Sequence, residues 1–357
     1  MFFIAFLAAV SINDFRGIWI PRWSIPDKQK IFDVIDNNFN HIFLQIFGNG
    51  EAYYLSDIAS CKIADDRWLK ELLREAHYRG IKVSAWINVF YSWGYGSVLE
   101  NKKHPINFAR DWYVVNKNQN SIISYDAEAL RSMGIEGYYL APANPSVRIY
   151  LLKIIEEIVT KYEFDGIHLD YIRYPGGDFI YDIYIRTRIQ RKYFYDPIEF
   201  DDVLAKRLGI SGIDDIREKV WDLVRQDLTD FVTQIKNKVI SINPECLVSA
   251  AVKPDYMVAR NEYYQDWLTW INDGKIDFVC LMAYMDNIEA LVKKTLKRVN
   301  NPASVAIGLG IYNSTPEIIK RQLKLIKKTP FGGFVYFSYP QIKENRAFLE
   351  LLKNIEN

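Results

Sequence analysis

Cysteine is scarce in this 357-residue chain: Cys61, Cys246 and Cys280 are odd in number and widely spaced. They exclude a disulfide framework and a thiolate zinc site. Histidine is nearly as rare, at His41, His77, His104 and His168, and no His-x-His or His-Glu-x-x-His spacing occurs. No metal site is therefore expected. Glycine-rich phosphate loops and a Gly-x-Ser-x-Gly elbow are missing too, so no nucleotide cofactor and no serine-hydrolase chemistry is expected. Neither sign of charge predominates, with 45 Lys plus Arg against 44 Asp plus Glu and a net charge of +1. Without a basic stripe, nucleic acid is not an expected partner. Nowhere do about 20 apolar residues run together, which excludes a stable membrane span of the helical kind.

Aromatic side chains, by contrast, are abundant: 24 Tyr, 20 Phe and 9 Trp. Core packing accounts for most of them, because aromatics bury large areas. The remainder suit the wall of a cleft. The N-terminal stretch has a short apolar run over residues 2–10 followed by the small-x-small pattern Ala9-Val10-Ser11. Residues 1–13 are expected to be an export signal, although the usual basic leader is missing and a cytoplasmic protein is the alternative. The mature fold would then occupy residues 14–357.

After Asn13, strand-like runs alternate with amphipathic helical stretches, the pattern of βαβ units around a parallel sheet. Strands are predicted over residues 17–20, 41–46, 82–88, 166–170, 247–252, 278–282, 305–310 and 333–337. Helices are predicted over 27–38, 68–79, 146–162, 216–242, 263–273, 289–299, 315–327 and 343–355. Eight of each is the count of a (β/α)8 TIM barrel in the α/β class. Asn144-Pro145 and Thr315-Pro316 read as helix caps followed by first-turn prolines, and Gly80 suits a helix C-terminus. No linker or low-complexity tract divides the chain, so a single domain is expected. Two segments after strands are long, residues 89–143 after the third and 171–215 after the fourth. In such a barrel these lie at the C-terminal face, where reaction sites are built.

The fourth predicted strand carries the most specific signal. Side chains alternate along a strand, so Ile167 and Leu169 should face the helices, while His168 and Asp170 face the barrel interior with Asp170 uppermost. A carboxylate closing an apolar strand is costly to bury without partners. At this end of a barrel strand that cost points to catalysis. The structural alternative is an ion pair with Arg173 or a turn cap.

The run EGYYLAPANPSVRIYLLKIIEEIVTKYEFDGIHLDYIRYPG resembles the signature of the glycosyl-hydrolase-like 10 family. Other pieces match in order: FRGIWIPRW, HIFLQIFGNGEAYYLSD, GIKVSAWINVFY, VSAAVKPD, YYQDWLTWINDGKIDFVCLMAYMDN, VAIGLGIYN and GGFVYFSYPQI. The resemblance covers about residues 15–340, nearly the whole chain. It implies a TIM barrel that hydrolyses glycosidic bonds in a polysaccharide or a peptidoglycan glycan, with carbohydrate as its partner. A barrel that binds sugar without cleaving it is the main alternative, and a metal-dependent hydrolase using His168 and Asp170 is a third.

Glycoside hydrolysis generally uses two carboxyl groups. Asp170 is expected as nucleophile or base. For the acid, Asp286 ranks first because it closely follows the sixth strand. Asp255, after the fifth, ranks second, with Glu262 and Asp266 nearby. Parity places Gln45, Trp86, Asn88 and Tyr284 on the inward face, as sugar contacts or as barrel filling. Glu51, His168, Tyr171, Arg173 and Tyr174 complete the expected substrate-binding set. Arg173 is expected to keep Asp170 ionised.

Overall fold

The computed structural model describes residues 12–35, 39–96, 101–176, 178–199, 201–207 and 213–353. The apolar run expected to direct export lies outside these residues. Eight strands form a closed parallel barrel: β1 (Phe15–Ile20), β2 (His41–Gly48), β3 (Lys82–Asn88), β4 (Gly166–Asp170), β5 (Leu247–Val252), β6 (Phe278–Met282), β7 (Val305–Gly310) and β8 (Gly333–Phe337). Each pairs with its sequence neighbours, and β1 pairs with both β2 and β8, which closes the ring. Around it run α1 (Lys28–Ile35), α2 (Arg67–Tyr78), α3 (Pro145–Lys161), α4 (Ile213–Ile242), α5 (Trp267–Asn272), α6 (Glu289–Leu296), α7 (Pro316–Ile326) and α8 (Arg346–Lys353). The chain is a (β/α)8 barrel.

Alternation along the strands divides the core in two. Val83, Ala85, Ile87, Ile167 and Leu169 join the shell between strands and helices. Trp19, Phe43, Trp86, Cys280 and Val335 fill the ring itself. Trp19 can lie across the barrel because β7 has Gly308, where a Cβ would come within 2.9 Å of the indole. Beneath the mouth, His168 is fully buried against Phe43, with ring centroids 3.9 Å apart.

The caps form as expected: Asn144 accepts from the Ser146 amide at 2.9 Å, and Thr315 from the Ile318 amide at 3.4 Å. Two predicted helices are each interrupted. The stretch 263–273 yields only α5, because Tyr264 adopts a left-handed φ of 56° and ends a separate helix, Tyr256–Glu262. The stretch 343–355 is split at Asn345, which takes an extended conformation between Tyr339–Glu344 and α8. The long segment after β3 builds its own wall: Tyr91–Trp93 pairs antiparallel with Tyr138–Tyr139. No described helix is long and apolar enough to cross a membrane.

Candidate active site

A cleft of about 600 Å³ opens at the C-terminal mouth, floored by Trp86, Asp170 and Tyr284. Its size suits a small-ligand site. A larger recess, about 800 Å³, lies at the opposite end of the barrel beside His41, His77, Lys82 and Asp165. Asp165 is already committed there, accepting from Lys82 Nζ, His77 Nε2 and the Val83 amide, each at 2.8 Å. Reaction sites in this fold sit at the other face, and the smaller cleft is therefore the candidate.

Asp170 ends β4 at the centre of the mouth. Tyr171, which follows it, holds a left-handed φ of 52°, an uncommon conformation for a bulky residue and one that marks local strain. The turn aims the Tyr171 amide at Asp170 Oδ1 at 2.7 Å, while Trp86 Nε1 donates to Oδ2 at 3.1 Å. Arg173 stands 3.8 Å from Oδ1. All three favour the anion. Burial outweighs them, and the Asp170 carboxyl is less acidic than an ordinary aspartate. Arg173 pairs with Asp170 and favours its anion, as expected, but burial outweighs that effect, and the guanidinium's shorter contact is with Glu136, whose Oε2 accepts from it at 2.9 Å.

Glu136 is the carboxylate that sequence analysis missed. It precedes the Tyr138–Tyr139 strand in the wall built after β3, and it faces the cleft. Burial pushes its carboxyl up, but Arg173, Lys253 at 3.7 Å and the Tyr139 hydroxyl at 3.1 Å together bring it below the usual glutamate range. Asp170 and Glu136 thus flank one buried guanidinium with their acidities pushed apart. In such a pair the less acidic group suits proton donation and the more acidic one suits an anionic role.

Among the expected contacts, Gln45, Trp86, Asn88, Tyr171, Arg173 and Tyr284 line the cleft. Gln45 donates to Asn88 Oδ1 at 3.1 Å, and Tyr284 stacks on Phe337 with centroids 5.3 Å apart. The other expected residues are not brought there. Asp286 is exposed outside the cleft, and among the described residues its backbone carbonyl is engaged, by Gln322 and Arg321, while its carboxylate has no hydrogen bond or ion pair. Asp255 caps the Tyr256–Glu262 helix through the Met257 and Val258 amides. Asp266 caps α5, and Glu262 lies outside the cleft lining. Glu51 is buried beside the mouth and pairs with Lys62 at 3.1 Å. Tyr174 is buried against Tyr264. His168 lies one layer too deep. Its Nε2 accepts from Trp19 at 3.0 Å and its Nδ1 bonds Ser249 at 2.8 Å, so both nitrogens are occupied and burial keeps the ring neutral.

The model of the glycosyl hydrolase-like 10 family matches residues 6–318. The chain belongs to that family. Similar proteins include glycosyl hydrolase YngK of Bacillus subtilis, 23% identical over 96% of this chain and 71% of that protein. Glycosyl hydrolase DigH of Escherichia coli is 22% identical over 95% of this chain and 87% of that protein. Among solved structures, the PgaB (BpsB) glycoside hydrolase domain of Bordetella bronchiseptica superposes with a TM-score of 0.72 at 16% identity, over 96% of this chain and 98% of that one. The β-galactosidase of a Bacillus circulans strain gives 0.64 at 11% identity, over 96% of this chain and 55% of that one. These likenesses bear on the fold. Family membership makes the chain glycoside hydrolase-like, and Asp170 and Glu136 both line the cleft at the C-terminal mouth of its barrel.

Proposed function

We propose that this chain hydrolyses O-glycosidic bonds, with Asp170 as the proton donor and Glu136 as the ionised partner. The carrying observation is the pair of carboxyl groups facing one cleft, one made less acidic by burial and the other held anionic by Arg173 and Lys253. Asp170 would protonate the departing oxygen as the bond to the anomeric carbon breaks. Glu136 would either take a proton from the attacking water or attack the anomeric carbon itself, according to whether the outcome is inverting or retaining. Asp170 is thereby assigned the acid role instead of the nucleophile's, because its burial favours the neutral form. The proposed substrate is a polysaccharide or a peptidoglycan glycan, met outside the cytoplasm.

One observation favours a second reading, a sugar-binding barrel without turnover: Glu136 is held by two cations, which weakens it as a base. A panel of polysaccharides and peptide-free peptidoglycan glycan strands, analysed for new reducing ends, separates the two. Cleavage by the wild type, lost in both Asp170→Asn and Glu136→Gln, is the expected outcome. Binding without new reducing ends in any member would leave the binding barrel as the better description.

A further inference from the structure

Arg22 has an arrangement that neither carboxylate explains. It lines the cleft just after β1, half-buried, at the start of the short helix Arg22–Asp27. Its guanidinium is held in place from several sides. Nη1 and the backbone amide both donate to Gln45 Oε1, at 3.1 and 3.2 Å. The Trp23 and Tyr53 rings lie 5.3 and 6.0 Å from its central carbon. Gly48 leaves the room it needs, since a Cβ there would come within 3.2 Å of Nη1. Yet no carboxylate pairs with Arg22 among the described residues, and its Nε and Nη2 have no protein acceptor there. Arg173 differs, because Glu136 balances it.

The charges that line the cleft are Arg22, Arg173 and Lys253 against Asp170 and Glu136. With Asp170 neutral, as the proposed reaction requires, three cations face one anion. A neutral sugar laid over this mouth would strip water from Arg22 and return no acceptor of matching charge, which is costly for a buried cation. A carboxylate would accept from the two open guanidinium donors in the fork geometry that arginine favours. Exposed Trp23 beside it offers an aromatic face to the same sugar.

We propose that Arg22 is a specificity-determining residue that binds a carboxylate on the glycan, so that the substrate is an acidic polysaccharide. The inference rests on the glycoside hydrolase assignment for the identity of the ligand, and its test is a binding test so that the two can fail separately. Polygalacturonate, alginate, hyaluronan and peptide-free peptidoglycan glycan strands would each be titrated against Asp170→Asn protein by calorimetry, beside carboxyl-reduced derivatives of the same chains. The expected result is that at least one acidic chain binds about tenfold or more tightly than its reduced form. Adding Arg22→Gln should bring that ratio close to one, and Arg22→Lys, which keeps the charge but loses the fork, should restore part of it. Equal affinity for every acidic and reduced pair, absence of binding by all acidic chains, or an undiminished ratio in Arg22→Gln protein would each overturn the proposal. A carboxylate preference that depends on Arg22, in a wild type that cleaves nothing, would uphold this inference and overturn the hydrolase assignment.

Discussion

Asp170 accepts two hydrogen bonds and has a guanidinium nearby, and still its carboxyl is less acidic than a free aspartate. Desolvation therefore outweighs these partners at this site, and with the proposed roles that sets the direction of the expected pH behaviour. The proposed mechanism requires Glu136 ionised and Asp170 protonated. As pH rises, kcat/KM should climb through the lowered Glu136 pKa and then fall through the raised Asp170 pKa. Asp170→Asn should lose about 10²–10⁴-fold in kcat/KM on a natural glycan, the usual worth of a positioned proton donor. It should also remove the alkaline limb of the profile. The loss should be much smaller on aryl glycosides whose leaving groups need no proton. Equal losses on both kinds of substrate would take the proton-donor role away from Asp170. At this scale the sequence was informative about side-chain direction, since period-two alternation placed Gln45, Trp86, Asn88 and Asp170 at the mouth. It ordered Asp170 above His168 but did not reveal the partners below the mouth: Trp19 and Ser249 claim the nitrogens of His168 and keep it from the cleft.

At the scale of elements, what was legible followed from local periodicity, and what was not followed from long-range contact. Strands β3 to β8 begin and end where the alternation predicts. Glu136 opens the very run that carries the family resemblance, but it precedes Asp170 by 34 residues (170 − 136). It reaches the cleft only because Tyr91–Trp93 pairs with Tyr138–Tyr139. Asp255 and Asp286 follow their strands closely, but one is used as a helix cap and the other stays in solvent. The loop after β2 shows the same dependence on distant partners. Glu157 of α3 is buried and accepts from Tyr54 and Ser56 hydroxyls, at 3.0 and 2.6 Å, through one oxygen. The other oxygen takes the Asp57 amide at 2.7 Å and Lys161 Nζ at 2.9 Å. Glu157→Ala strands these donors, and about 2–4 kcal/mol of stability should be lost, reduced from the fully buried case because Lys161 is partly exposed. Urea unfolding would report it as a lower midpoint. An unchanged midpoint would mean that the loop holds its place without this anchor.

For the whole molecule, the barrel separates stability at one end from activity at the other, and the two aspartates that flank β4 should show this in opposite pH dependences. At the lower end, burial pushes the Asp165 carboxyl up, but Lys82, the Val83 amide and His77 outweigh it and the net shift is downward. A carboxyl with a folded pKa below its unfolded value binds fewer protons when folded, so it stabilises above the unfolded pKa, near 4, and that stability is lost as pH falls through the folded pKa. Asp170 has the reverse sign. Its folded pKa lies above the unfolded one, so its contribution to stability falls as pH rises from about 4 through the folded value. Asp165→Asn should therefore cost about 1–2 kcal/mol at pH 7 and progressively less toward pH 3, with kcat/KM within about twofold of the parent because the change lies far from the mouth. Asp170→Asn should gain on the wild type in stability as pH rises over the same range, while its turnover is lost. Thermal unfolding of both variants and the parent between pH 3 and pH 7 reads the two slopes side by side. If they had the same sign, burial would not govern Asp170, and its assignment as the neutral, proton-carrying member of the pair would fail with it.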